Sequence, residues 1–274
     1  MGRPLILITN DDGVAARGLV ALREALAPLA EVVTVAPDAQ RSAVGHSITL
    51  RSSLRVWRHD SFNGFVVYAC SGTPADCATV GIHASLWRRP DLVVSGINDG
   101  ANMGEDLTYS GTVCAAMEAA IQGVPAIAIS AAPHPETGET AYVAAGLVSR
   151  ALVKLMLSGR LPEVITRATG CAFLNVNVPS LPPGEIRGVA ITRPGIRCYD
   201  LNFHRTDISE TEILLEMTGG PVDFAEQPGT DVAAVAEGRI SITPVTHDIA
   251  APASLLNGAQ WDLGEVLHTL KPGS

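Results

Sequence analysis

The chain has 274 residues, 47% of them hydrophobic and 17% charged, with a formal net charge of −9. It is long enough to bury a sizeable core as one large domain or a core with an appendage, and its acidity excludes a nucleic-acid polymer as the expected partner, because phosphate-backbone binding needs clustered Lys and Arg. No apolar run approaches the roughly 18 residues that span a bilayer, and the start Met1-Gly2-Arg3-Pro4-Leu5 lacks the apolar core of a signal peptide. The expectation is therefore a cytoplasmic protein with no membrane partner. The five cysteines are odd in number, scattered and never in a CxxC pair, so they read as reduced thiols without a disulfide framework or zinc site.

In chain order, residues 5–9 (LILIT) form a continuous apolar run, as in a strand buried on both faces. Leu19, Leu22, Leu26 and Leu29 follow at helical spacing, with Pro28 near the helix end. Residues 31–36 (EVVTVA) are a second buried strand closed by Pro37-Asp38. A later strand, 91–97 (DLVVSGI), ends at Asn98-Asp99-Gly100. The spacing predicts a helix from near Thr112 with Val113, Met117 and Ile121 on one face. A strand over 126–130, a helix over 142–157 and a strand over 172–178 complete the regular part.

Strand–helix alternation with continuous apolar strands predicts a mostly parallel α/β sheet with helices on both faces. The polar motifs after residues 9, 36 and 97 all fall just past predicted strand ends, where open parallel sheets bind ligands. Beyond about residue 180 the pattern weakens. Segments 189–193 and 239–243 read as short strands, and 196–236 has hairpin character. The division expected is a catalytic core over 1–180 and a β-rich extension over 181–274 that completes the subunit and its oligomer.

Asn10-Asp11-Asp12-Gly13 follows the first strand. Adjacent carboxylates repel unless something positive lies beside them, and their hard oxygens suit magnesium, manganese or calcium. A turn with a helix cap accounts for the same four residues. The GxGxxG of dinucleotide binders is missing here. After the second strand, Ser42 offers a hydroxyl to a cation, Arg41 offers charge, and His46 offers either a proton or a loop hydrogen bond. In 95–112 (SGINDGANMGEDLTYSGT), Asn98 and Asn102 bring amide groups, and Ser110-Gly111-Thr112 stands at a helix start, where free N–H groups and the helix dipole attract anions. A flexible loop with an ordinary Ser/Thr cap is the alternative, but the length of the loop favours function. Gly72 to Cys77 reads as a turn and helix start that could also line the substrate pocket, and Cys114 as a small buried residue.

Taken together, ITNDDG with the downstream Gly18-Leu19, VVAPDAQRSAVGHSITL, GTPADC, PDLVVSGINDGANMGEDLTYSGTVCAAMEA and the late GRISITP resemble the SurE family, the survival-protein E 5′-nucleotidases. The blocks keep the family's order and are dense from 5 to 130; Cys114 and the stretch after Pro244 depart from it. The resemblance implies a Rossmann-like core, a carboxy-terminal arm exchanged between subunits, and homodimers often paired into homotetramers. It implies hydrolysis of nucleoside 5′- and 3′-monophosphates, with short polyphosphate attacked by some members, and one Mn²⁺ or Mg²⁺ per subunit. The family's metal ligands match Asp11, Asp12, Ser42 and Asn98, and its phosphate loop matches Ser110, Gly111 and Thr112. On this reading Asn10 orients water or substrate, His46 is the candidate acid for the leaving group, and the attacking group is water or a carboxylate. A phosphatase of small non-nucleotide phosphates, and a metal-dependent nucleotide-binding regulatory module without turnover, are the rival readings.

Overall fold

The computed structural model describes residues 2–59, 64–161, 165, 172–223 and 227–248. Cys171 and the end of the expected arm, from 249 on, lie outside the described residues. The apolar runs become the strands β1 (Leu5–Thr9), β2 (Glu31–Pro37), β3 (Val56–Arg58), β4 (Val66–Cys70), β5 (Leu92–Asp99), β6 (Ala126–Ala132) and β7 (Phe173–Pro179). Beyond them come β8 (Val189–Ile191), β9 (Arg197–Asp207), β10 (Ile213–Asp223) and β11 (Ile240–Val245). Nine of these form one sheet in the order β3-β4-β2-β1-β5-β6-β7-β11-β8, and β9 pairs with β10 as a separate antiparallel hairpin. Only the β3–β4 and β7–β11 pairings of the large sheet are antiparallel. Residues beyond 180 thus extend the main sheet through β8 and β11 as well as forming the hairpin.

Among the described residues, helices run over α1 (Arg17–Leu26), α2 (Pro74–His83), α3 (Gly111–Ile121), α4 (Val143–Leu157) and α5 (Asp231–Ala236). Alternation along β1 shows why its run is apolar throughout. Ile6 and Ile8 point into a core with Leu19, Leu22 and Leu26 of α1 and Val153 of α4. Leu5 and Leu7 point the other way, to Cys77 and Ile82 of α2 and Val113, Ala116 and Ala120 of α3. The sheet is therefore covered on both faces. No helix among the described residues is long and apolar enough to cross a membrane.

One helix face differs in part from the expectation. Ile121 of α3 is 43% exposed, while Ala115, Ala116, Ala119 and Ala120 are buried. Val113 is buried and Met117 packs against the core as expected, so only Ile121 departs from that face, and the small alanines beside them let α3 approach the sheet closely.

The topology fixes where a ligand site belongs. β1 lies between β2 and β5, pairing in parallel with both. The chain leaves β1 through α1 to reach β2 on one side and returns through α2 to β5 on the other. That reversal opens a crevice beyond the carboxyl ends of β1 and β5. β5 also changes register against β6 between Ser95 and Asn98, which re-aims its last residues. Helix α1 is pressed against this bend: a Cβ on Gly18 would lie 1.9 Å from the Ile97 carbonyl oxygen. Since the obstruction is backbone, Gly18→Ala is expected to destabilise by about 1–3 kcal/mol. The urea midpoint should fall at unchanged slope, and an unaltered midpoint would contradict this close packing.

Candidate active site

The turn after β1 is built by its own side chains. Asn10 Nδ2 donates to the Gly13 carbonyl (3.0 Å) and the Gly13 N–H donates back to Asn10 Oδ1 (3.3 Å). Gly13 adopts φ +104°, a conformation that favours glycine. Two backbone bonds lash this turn to the loop after β2, from the Val14 N–H to the Pro37 carbonyl and from the Arg41 N–H to the Asp11 carbonyl (2.8 and 2.7 Å). Asn10, expected to orient water or substrate, is fully buried with both amide atoms bonded to Gly13. These bonds make it the residue that holds the turn in shape.

The two carboxylates receive different environments. Asp11 is 4% exposed, and the Thr112 hydroxyl donates to its Oδ1 at 2.5 Å. Burial raises its pKa, opposed by the Thr112 hydroxyl and by the backbone N–H groups of Thr112 and Gly111. Asp12 is half-buried and accepts the Asp99 N–H at 3.1 Å across the crevice from the end of β5. Burial, then the neighbouring Asp11 charge, push it up to about 6. Tyr142, at the start of α4, is pushed up to about 12 by burial and by the charge of and a hydrogen bond to Asp99, with Asp12 adding to the effect. The guanidinium of Arg41 turns instead to Asp38 and the Ser71 carbonyl.

Helix α3 starts against Asp11. Ser110 caps it, its Oγ accepting the Val113 N–H (3.1 Å). A Cβ on Gly111 would meet the Asp11 Cβ at 2.7 Å and Pro74 Cγ at 2.8 Å, so only glycine permits this approach. Pro74 opens α2 within a capping box of Thr73 and Asp76, which brings the GTPADC segment to the rim as turn and helix start together. At this helix start the Gly111 and Thr112 N–H groups ease the burial of the Asp11 charge, and the Ser110 hydroxyl caps its own helix. Asn98 Oδ1 lies 3.5 Å from the same Thr112 hydroxyl, and its Nδ2 donates to the Gly100 carbonyl (2.8 Å).

Ser42 follows the Arg41 amide anchored on Asp11; its exposed hydroxyl accepts from Gln40 Nε2 at 3.0 Å. His46 sits farther along that loop, which is tied to the approach to α3 by the Gly45 N–H and Tyr109 carbonyl (3.0 Å). Its Nε2 lies 2.8 Å from Glu118 Oε2 on α3. Glu118 also accepts from Gln122 and Thr79. Asn102 points away from the crevice into a buried network with Ser130 and Asn177. Cys114 is buried and pushed up to about 12, a packed thiol rather than a nucleophile.

The structure thus brings Asp11, Asp12, Asn98, Gly111 and Thr112 together, with Ser42 and His46 on the loop alongside. Asp99, Tyr142 and Glu118 were missed by sequence reasoning. Asp99 stands within the polar motif after β5 and was the findable one.

The family model "Survival protein SurE" matches residues 6–201. The chain belongs to the SurE family. A Pelobacter propionicus protein named 5′-nucleotidase SurE is 45% identical over 93% of this chain and 98% of its own length. One from Rubrobacter xylanophilus, of the same name, is 40% identical over 96% and 98%. The crystal structure of the SurE protein from Aquifex aeolicus superposes with a TM-score of 0.74 at 36% identity, covering 98% of both chains. The fold of this family member is therefore the SurE fold.

Glu118 is held below the usual carboxylate range, first by His46. Its charge therefore stabilises the fold above the unfolded value of about 4.3, and that contribution is lost as pH falls through the lower folded value. Urea midpoints measured between about pH 5 and pH 3 should fall less steeply in Glu118→Gln than in the parent; identical slopes would show that the pair carries no linkage.

Proposed function

We propose that this SurE-family chain is a metal-dependent 5′-nucleotidase that hydrolyses nucleoside 5′- and 3′-monophosphates to nucleoside and phosphate. The observation that carries the reading is the meeting of Asp11, Asp12 and Asn98 at the β1/β5 crevice, in a chain whose relatives are named 5′-nucleotidase. One Mn²⁺ or Mg²⁺ per subunit is the cofactor proposed, held by Asp11, Asp12, Ser42 and Asn98. The donor set fits such an ion: two carboxylates, an amide oxygen and a hydroxyl are all hard ligands. Among the described residues no three His, Cys, Asp or Glu gather as a metal site, so neutral oxygens must complete the set. Two raised carboxylates with Asp99 beside them are an environment that a cation relieves.

When bound, such a cation neutralises charge on the phosphoryl group and lowers the pKa of bound water. The chain's own groups supply the positioning on which phosphoryl transfer chiefly depends. Thr112 and the α3 amides fix one carboxylate of the pair, and the Asp99 amide fixes the other. His46, its ring held by Glu118, is the proposed proton donor to the leaving oxygen. A homodimer or homotetramer is proposed too, on the exposed apolar side chains Leu201, Phe203, Leu215 and Met217 of the hairpin, together with a cytoplasmic location.

Phosphate release from AMP, GMP and glycerol phosphate, with several divalent metals, tests the reading. Turnover of the nucleotides is expected; nucleotide binding without release would favour a regulatory module, and preference for glycerol phosphate a general phosphatase. EDTA should stop turnover until metal is restored. Asp12→Asn should lower kcat on the order of 100-fold or more with an unchanged circular dichroism spectrum, and full activity at saturating Mn²⁺ would remove Asp12 from the metal site.

A further inference from the structure

The hairpin does not simply project from the molecule; its foot is bolted to the turn that leads into α3. Arg197 Nη1 lies 2.5 Å from Asp106 Oδ2, each side chain only 12% exposed. The Tyr199 hydroxyl donates to Asp106 Oδ1. The Arg197 N–H donates to Glu105 Oε2 (2.5 Å). Two neighbouring acidic residues of Gly104–Thr108, a 3-10 helix, thus engage the first residues of β9.

A buried carboxylate seats both sides of this contact. Asp231, 0% exposed, accepts the Gly104 N–H (3.0 Å) and the Gly195 N–H (2.7 Å). Gly104 adopts φ +54°, and a Cβ there would lie 2.9 Å from the Gly195 carbonyl oxygen. The turn and the hairpin foot are therefore packed backbone to backbone.

From Asp106 the connection to the crevice is short. Its carbonyl accepts the N–H groups of Tyr109 and Ser110, both at 3.0 Å. Ser110 caps α3, Gly111 lies against Asp11, and the Thr112 hydroxyl holds the Asp11 carboxylate. We propose that Asp106, clasped by Arg197 and Tyr199, is a positioning residue: it sets the start of α3, and through it Asp11, according to how the hairpin is seated. The inference rests on the nucleotidase reading for its catalytic consequence. The physical basis is that a nearly buried ion pair is rigid and intolerant of losing one partner, and that small misplacements of a reacting constellation reduce rate far more than stability.

The test is a double-mutant cycle on the full chain with Asp106→Asn, Arg197→Met and the pair together, and Tyr199→Phe as a gentler variant should the singles fail to fold. Two readouts apply: kcat and KM for AMP, and hydrogen exchange at the amides of 110–113. A fall in kcat of about 10- to 100-fold is expected in each single variant with KM within about twofold, alongside faster exchange at 110–113. The double variant should lose no more than the worse single, because the groups act as one unit. Tyr199→Phe should shift both readouts in the same direction by less. Unchanged kcat and exchange, or losses in the two singles that simply add, would overturn the proposal. If the parent chain itself releases no phosphate, the nucleotidase reading fails, and the exchange measurement alone still decides whether Asp106 sets the start of α3.

Discussion

Everything at the carboxyl end of the sheet is arranged around the charge of Asp11. A carboxylate this far from water is driven toward its neutral form unless hydrogen bonds and dipoles replace the lost solvation. The replacement comes from one element, the start of α3, whose first amides and Thr112 hydroxyl face it. Helix dipoles favour negative charge at that end. The compensation is partial, because burial still raises the Asp11 pKa, and at Asp12 burial is joined by the like charges of Asp11 and Asp99. The site is consequently a place of uncompensated negative charge in a protein that is acidic overall.

That arrangement exists only because backbone can come unusually close to its neighbours in two places. Gly111 lets α3 rest on Asp11, and Gly18 lets α1 rest on the bent end of β5. A larger residue at the first would move the helix start away from the carboxylate it stabilises. At the second it would displace Ile97 and hence Asn98 and Asp99, which follow it. The glycines therefore act on the charges, although neither has a side chain to offer. The topological reversal between β1 and β5 supplies the gap, and these contacts decide how narrow it is.

Much of this could be read from the chain. The strands read as continuous apolar runs each begin and end within a residue or two of that reading, whereas β3 and β4 carried no expectation, β4 being a run of five and β3 of only three residues. Asp11, Asp12 and Asn98 stand out because three polar motifs fall past strand ends, and the sheet order brings those ends together. What escaped was of another kind. Asn10 and Ser110 belong to residue types that serve ligands and turns alike, and only the three-dimensional hydrogen bonds show that Asn10 holds its turn and Ser110 caps α3. Tyr142 and Glu118 come from helices whose sequence carries no polar motif, and the alanines on the inner face of α3 were missed because alanine is apolar without being conspicuous. Residues 196–236 gave a hairpin but no partner, since ion pairs between distant segments leave no periodic trace.

The same distinction separates the two kinds of charge in the molecule. Asp106 and Asp231 are also carboxylates withdrawn from water, yet each has its charge answered within the chain, by Arg197 and Tyr199 in one case and by three backbone N–H groups in the other. Asp231 even carries a pKa raised by burial, which shows that a perturbed carboxylate is not by itself a sign of function. Asp11 and Asp12 differ because their remaining neighbour is a further carboxylate rather than a cation. The deficit is local, it lies at the carboxyl ends of β1 and β5, and it is of the sign that a divalent ion, and through it a phosphate, can satisfy.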